Sequence, residues 1–157
     1  MITVQIGQCG NQVGQALFDD IGNTIKSNTK KISNNHSQKD LILNEFNERI
    51  MNEYFRLSNI SENSLIARSV LIDMEPKVIE NCLINAYNNG IYNYDKQNIC
   101  TAQSGSANNW AFGYYKHGIT QQDIILDKLR LEVEKTDYLH GFLLLQSLAG
   151  GTGIVIQ

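Results

Sequence analysis

Four short stretches of this chain carry residues of the kind that gather around phosphate. They are Gly7-Gln8-Cys9-Gly10-Asn11-Gln12, Asp73-Met74-Glu75, Gly105-Ser106-Ala107-Asn108-Asn109 and Ala149-Gly150-Gly151-Thr152-Gly153. Glycine lets the backbone come close to an anion, and the N–H groups at the head of a helix point at it. Two acids beside such turns, Asp73 and Glu75, can hold a magnesium ion that keeps several of its waters. Taken singly, a glycine turn is usually only a tight turn. Asp73 and Glu75 could equally serve the start of the helix opened by Pro76, where acids are stabilising. All four stretches together are harder to ascribe to chance.

Other chemistry is poorly supplied. No G-x-x-x-x-G-K-[ST] occurs, and "GQCGNQVG" lacks the G-x-G core of a dinucleotide turn. In the last stretch Ile156 stands where that pattern needs its third glycine. No Ser–His–Asp or Cys–His set can be assembled from His36, His117 and His140. Cys9 is expected to be a small buried residue rather than a nucleophile. Trp110, Phe112, Tyr114 and Tyr115 are expected to pack rather than to stack on bases.

The elements that must position these stretches are legible. Ile2 to Ile6 reads as a strand, followed by the first glycine turn and a helix with Val13, Leu17 and Ile21 on its apolar stripe, beside Ala16 and Phe18. Residues 27 to 40 are polar and read as an irregular insert. An amphipathic piece over 41 to 57 would put Phe46, Ile50, Tyr54 and Leu57 on one face, with loop again to 64. A second strand over 70 to 72 stops at Asp73. Pro76 then opens a helix carrying Val78, Ile79, Cys82, Leu83 and Ala86, which Gly90 ends. Residues 98 to 102 suit a third strand. Ile124, Ile125, Lys128, Leu129, Glu132 and Val133 recur at helical spacing, with Thr120 as N-cap. "GFLLLQSL" reads as a strand buried on both faces of a parallel sheet. Strand–helix alternation with long crossovers predicts an α/β fold: a Rossmann-like parallel sheet with helices on both faces. All four stretches then share the carboxyl rim of the sheet, where ligands bind.

Composition narrows the partners. The chain has 157 residues, 42% of them hydrophobic, and a net charge of −3. That length can bury a core. No basic excess is present to hold a nucleic-acid backbone, so no nucleic-acid partner is expected. No apolar run approaches the length of a membrane span, and no signal segment opens the chain, so no membrane partner is expected either. Three cysteines without a CxxC pair favour a reducing, intracellular setting over a disulfide framework.

"GQCGNQ", "DMEP", "SANNWAFGYYKHG" and "SLAGGTG", in this order and spacing, resemble the tubulins. "ARSVLIDMEPKVIEN", "NNWAFGYYKHG" and "EVEKTDYLHGFLLLQSLAGGTG" look most like the delta subclass, as does the alanine of "AGGTG". The resemblance implies GTP and Mg2+ as cofactors. It implies that Gly7, Gln8 and Cys9 touch the nucleotide, that Asp73 and Glu75 sit by the metal and the phosphates, and that Ser106, Ala107 and Asn108 approach the terminal phosphate. Ser147, Ala149, Gly150, Gly151, Thr152 and Gly153 would wrap the diphosphate. Other tubulin subunits are the implied partners. The implied location is the cytoplasm and cytoskeleton, at the microtubule-organising centre, the centriole or basal body, and the cilium.

Tubulins continue "GGTG" with Ser-Gly and a helix, whereas Ile154-Val155-Ile156-Gln157 follow here. Residues 1–157 are thus expected to be the amino-terminal part of a tubulin GTP-binding domain, truncated, with 27–64 as a variable insert. On that expectation the chain lacks the family's guanine grip and second domain. It should then bind GTP weakly, hydrolyse none by itself and leave "GFLLLQSL" as a bare apolar sheet edge. Two rival readings remain at this point: a dinucleotide-dependent oxidoreductase, and a non-functional truncated or mis-spliced product.

Overall fold

β1 (Ile2–Ile6) is buried along its whole length, and the rest of the sheet is laid on either side of it. The computed structural model describes residues 1–32, 38–58, 64–101 and 119–148. α1 (Gly7–Ile32) follows β1 directly. Next come α2 (Gln38–Tyr54), β2 (Phe55–Leu57), β3 (Leu65–Ala67) and β4 (Ser69–Asp73). α3 (Pro76–Asn89), β5 (Tyr92–Asn93), a 3-10 turn (Lys96–Asn98) and β6 (Ile99–Thr101) follow, and α4 (Ile119–Glu134) and β7 (Phe142–Leu145) complete the described elements.

The main sheet has the order β6-β4-β1-β7, and all its pairs are parallel. A smaller sheet, β2-β3-β5, flanks it. Helices cover both faces, as the sequence predicts. On one face Phe18 and Ile25 of α1 and Ile79, Cys82 and Ala86 of α3 pack on Leu71. On the other, Ile125 and Leu129 of α4 pack on Val4, Ile6, Val70, Ile72 and Cys100. The first cluster is aromatic at its centre. The ring of Phe18 lies 5.5 Å from Phe55, 5.6 Å from Tyr92 and 5.9 Å from Tyr94, mostly edge to face, which is the favoured geometry.

Several local expectations need correction. Residues 27 to 32 continue α1 and 38 to 40 open α2, so the stretch read as irregular is helical at both ends. Polar composition excludes neither, because α1 gains its stability by packing one stripe, not by overall apolarity. That stripe is also rotated from the predicted one. Asn11, Gly14, Phe18 and Ile25 are buried, whereas Val13 is 49% exposed. Apolar periodicity overlooks asparagine and glycine, which here face the sheet. In α2 the inward positions are Asn47, Ile50, Met51 and Tyr54; Phe46 is 52% exposed, and Leu57 lies in β2. Thr120 is inside α4 rather than its N-cap.

β7 is the edge of the sheet within the described residues, and it is not buried on both faces. Phe142 and Leu144, level with Ile2 and Val4 of β1, are 48% and 51% exposed. Gly90 does end α3, with φ 67° and its N–H donating to the Ala86 and Tyr87 carbonyls, as a left-handed glycine cap should. Among the described residues no helix is long and apolar enough to cross a membrane.

A charged cluster joins β2, the 3-10 turn and α4. Glu132 is wholly buried and accepts from Arg56 Nε at 3.1 Å and Asn98 Nδ2 at 2.7 Å. Asp95 takes the other edge of Arg56 at 2.5 Å and Lys135 Nζ at 3.1 Å. Burial works to raise the Asp95 carboxyl. The Gln97 N–H, Lys135 and Arg56 outweigh it and hold the group below the usual carboxylate range.

Candidate functional site

Because β6, β4, β1 and β7 run parallel, their carboxyl ends form one rim. With strands about 4.8 Å apart, four of them span roughly 14 Å. Gly7, at φ 69°, turns the chain from β1 into α1 at this rim, a left-handed conformation that favours glycine. Gln8 and Cys9 follow in the first turn and are exposed, so Cys9 is not the buried residue the sequence suggested. It stands at an outward position of a helix whose next two residues, Gly10 and Asn11, are buried against the sheet. The first turn of α1 contains no acid, which leaves the helix head free to meet an anion.

Asn11 joins the first two stretches. Its Nδ2 donates to the Gly7 carbonyl at 2.8 Å and to the Ile72 carbonyl at 3.2 Å, locking the start of α1 to the end of β4. Sequence reasoning included Asn11 in a glycine turn and gave it no role. Its place one helical turn after Gly7 was the available signal. Gly10 has a different task from the one its motif suggests. A Cβ there would lie 2.0 Å from the Leu145 carbonyl oxygen, so this glycine lets α1 lie against β7.

Asp73 ends β4 and is 4% exposed. Its Oδ1 accepts the Glu75 N–H at 3.2 Å, while Oδ2 is buried without a partner among the described residues. Burial pushes the Asp73 carboxyl above the usual carboxylate range; the backbone N–H groups of Glu75 and Met74 oppose that shift only in part. Glu75 is exposed at the N-cap of α3 and makes no side-chain capping bond there. The plain capping reading therefore leaves one oxygen of Asp73 and the whole Glu75 carboxylate unused. Both suit a hydrated divalent cation. Among the described residues no group of three His, Cys, Asp or Glu gathers to hold a metal.

Asp73→Asn is accordingly expected to stabilise the metal-free chain by on the order of 1 kcal/mol, since it removes an uncompensated buried charge and keeps the Glu75 hydrogen bond. Urea unfolding in chelator reads this, and a lower midpoint for the variant would contradict it.

Ser147 lies two residues beyond β7 at the same rim and is half-buried. Thus the structure gathers Gly7, Gln8, Cys9, Asp73, Glu75 and Ser147. Ser106, Ala107 and Asn108, and Ala149, Gly150, Gly151, Thr152 and Gly153, lie outside the described residues, as do Trp110, Phe112, Tyr114, Tyr115, His36 and His117.

Residues 1–156 match the Tubulin/FtsZ family, GTPase domain. The chain belongs to this family. It is 41% identical over 155 residues to a tubulin delta chain of Macaca fascicularis and 40% identical to that of Homo sapiens, covering 98% of this chain in each case. A tubulin beta chain of Aspergillus fumigatus is 35% identical over 153 residues, so the delta likeness read from the motifs holds. The chain spans about a third of the length of these relatives, 32% in each. The parallel sheet with helices on both faces is the Rossmann-like arrangement of this domain, and the oxidoreductase reading is set aside.

Proposed function

We propose that the chain supplies the phosphate-side part of a GTP–Mg2+ site in a delta-like tubulin. The intact protein would be a cytoskeletal component that assembles with other tubulin subunits, with the centriole, basal body and cilium as its setting. The observation that carries this reading is the buried Oδ2 of Asp73, without a partner among the described residues and placed at the rim beside the glycine turn of α1. Backbone N–H groups at the head of α1 would face the phosphates, and Asp73 and Glu75 would hold the hydrated ion that neutralises them. Ser147 would close the far side of the rim, and the motif stretches 106–108 and 149–153 would supply the remaining phosphate contacts. Bound magnesium would supply charge neutralisation. Hydrolysis is not proposed for these residues alone.

The three cysteines provide the test. Cys9 is exposed at the head of α1, whereas burial pushes the thiols of Cys82 and Cys100 up to about 11. Iodoacetamide at neutral pH is expected to label Cys9 quickly and the other two only on unfolding. Millimolar Mg–GTP should slow the Cys9 reaction several-fold, and the protection should vanish with chelator or in Asp73→Asn. Equal labelling rates with and without Mg–GTP would remove the nucleotide reading.

A further inference from the structure

The parallel strands also share an amino rim, at the end of the sheet away from the glycine turn of α1. There the Ile2 N–H donates to the Gly141 carbonyl at 3.0 Å and the Thr3 N–H to the Arg68 carbonyl at 2.9 Å, which brings the starts of β1, β4 and β7 level. α2 reaches the same place with Arg49 and Glu53, and the chain after α4 reaches it with Asp137 and Tyr138. With Arg68 and His140 these side chains line a cavity of about 540 Å³, a size suited to a small molecule. All of its wall lies among the described residues. The five residues of β1, at about 3.3 Å each, set it roughly 16 Å from the turn at Gly7.

The charges in this cavity do not cancel. Glu53 is already engaged: its Oε1 takes the Met1 ammonium at 2.8 Å and its Oε2 takes His140 Nδ1 at 2.6 Å. That leaves one acid of the wall, Asp137, against two guanidinium groups, and neither Arg49 nor Arg68 has a carboxylate within ion-pair distance among the described residues. Arg68 is half-buried and fixed in place. Its Nε donates to the Phe55 carbonyl at 3.0 Å and its Nη1 to the Lys135 carbonyl at 3.2 Å. Those neutral acceptors orient the guanidinium without neutralising it, and Nη2 has no partner among the described residues. Burial lowers the group from the ordinary arginine value, and the fields of Glu132, Asp137 and Glu53 offset that only in part. A purely structural role accounts for the two bonded donors and leaves the charge and the free donor edge unused. Arginine presents its donors as a rigid planar fork that matches carboxylate and phosphate, and a fork already oriented loses little freedom on binding. We propose that this cavity is a second binding site of the protein, for a small molecule bearing a carboxylate or phosphate group, with Arg68 as its fixed donor and Arg49 as the second cation. Tyr138, 71% exposed with its ring centroid 4.8 Å from that of His140, flanks the body that carries the anion. The site does not depend on the opposite rim holding a nucleotide.

Two-dimensional NMR of the whole chain reads this site through the Arg68 Nε–H and the His140 ring. The probes are inorganic phosphate and benzoate, each titrated in EDTA at fixed pH and fixed ionic strength, with chloride making up the balance. Both signals should shift to saturation with at least one probe, in the millimolar range, about what two charge-assisted hydrogen bonds leave after the cost of association. Saturation by phosphate alone marks a phosphate-bearing ligand, saturation by benzoate alone an aromatic carboxylate, and either supports the site. A linear drift no larger than that of chloride with both probes would overturn it. Phosphate that shifts only the Cys9 amide has bound at the head of α1 and counts as no binding here. Arg49→Gln changes an exposed side chain of α2 and should keep the urea midpoint. It should weaken the titration about tenfold, the worth of one hydrogen bond to a charged group, and an unweakened titration would overturn the proposal. Arg68→Lys keeps the charge and gives up the fork, so the His140 ring should no longer saturate; saturation at the parent's concentrations would again overturn it. If that variant does not fold, the parent titration and Arg49→Gln decide between them.

Discussion

Alanine at Gly10 is expected to cost about 3 kcal/mol, the upper end of ordinary overpacking, and to loosen α1 from β7. The added Cβ would lie 2.0 Å from the Leu145 carbonyl oxygen, 2.9 Å from its carbonyl carbon and 3.4 Å from the Gln5 carbonyl carbon. All three atoms are backbone, and Gln5 and Leu145 are partners in the β1–β7 ladder. No side chain can swing aside. Either α1 retreats from the sheet or the strand pair opens. Gly90→Ala is the useful contrast. Its φ of 67° strains any other residue, but a Cβ there meets nothing within 4 Å, so the loss should be nearer 1 kcal/mol. Urea titrations of both variants, followed by far-UV circular dichroism, give the comparison. A Gly10→Ala chain as stable as the parent would show that the close approach of α1 to β7 is absent in solution. Stability must be measured alongside binding, because a binding assay alone would credit Gly10 with touching phosphate.

Glu132→Ala is the second large effect, at about 3–5 kcal/mol. Truncation removes the acceptor from Arg56, whose side chain is 11% exposed, and from the buried Asn98 amide. Arg56 keeps Asp95, and Lys135 keeps Asp95 as well, so one carboxylate would face two cations. Most of the loss is the cost of polar groups left buried without partners, not the strength of the pair itself. Arg56→Ala should be similarly severe, and the double variant should lose less than the two single losses added, with a coupling above about 1 kcal/mol. By contrast Arg130→Ala should leave the midpoint where it was. Its partners Asp127 and Glu134 lie on the exposed face of α4, where water screens ion pairs. Strict additivity of the Arg56 and Glu132 losses would mean that the buried pair is not formed in solution.

Cys9 illustrates why local reading failed where it did. A free cysteine is more often buried than not, and only the rotation of α1 on the sheet turns this one outward. That rotation is set by Asn11 and Gly14, two residues that hydropathy does not count as core. The predicted stripe of Val13, Leu17 and Ile21 is consequently displaced from the true one around the helix.

The alternation of the four main-sheet strands with helices, the glycine turn after β1, the proline start and glycine stop of α3, and a common rim for the first two motif stretches were present in the sequence, whereas the small sheet β2-β3-β5 was not. Each legible feature is a property of a few adjacent residues: β-branched runs, fixed or permissive φ, apolar spacing. Tertiary structure alone decided that Gly10 serves packing, that one oxygen of Asp73 has no partner among the described residues, that Phe142 and Leu144 of β7 are exposed, and that Glu132 is buried against an arginine 76 residues away. Those outcomes depend on which distant segments meet and at what angle. A local pattern cannot encode them, because the free energy of a buried polar atom is set by its neighbours in space.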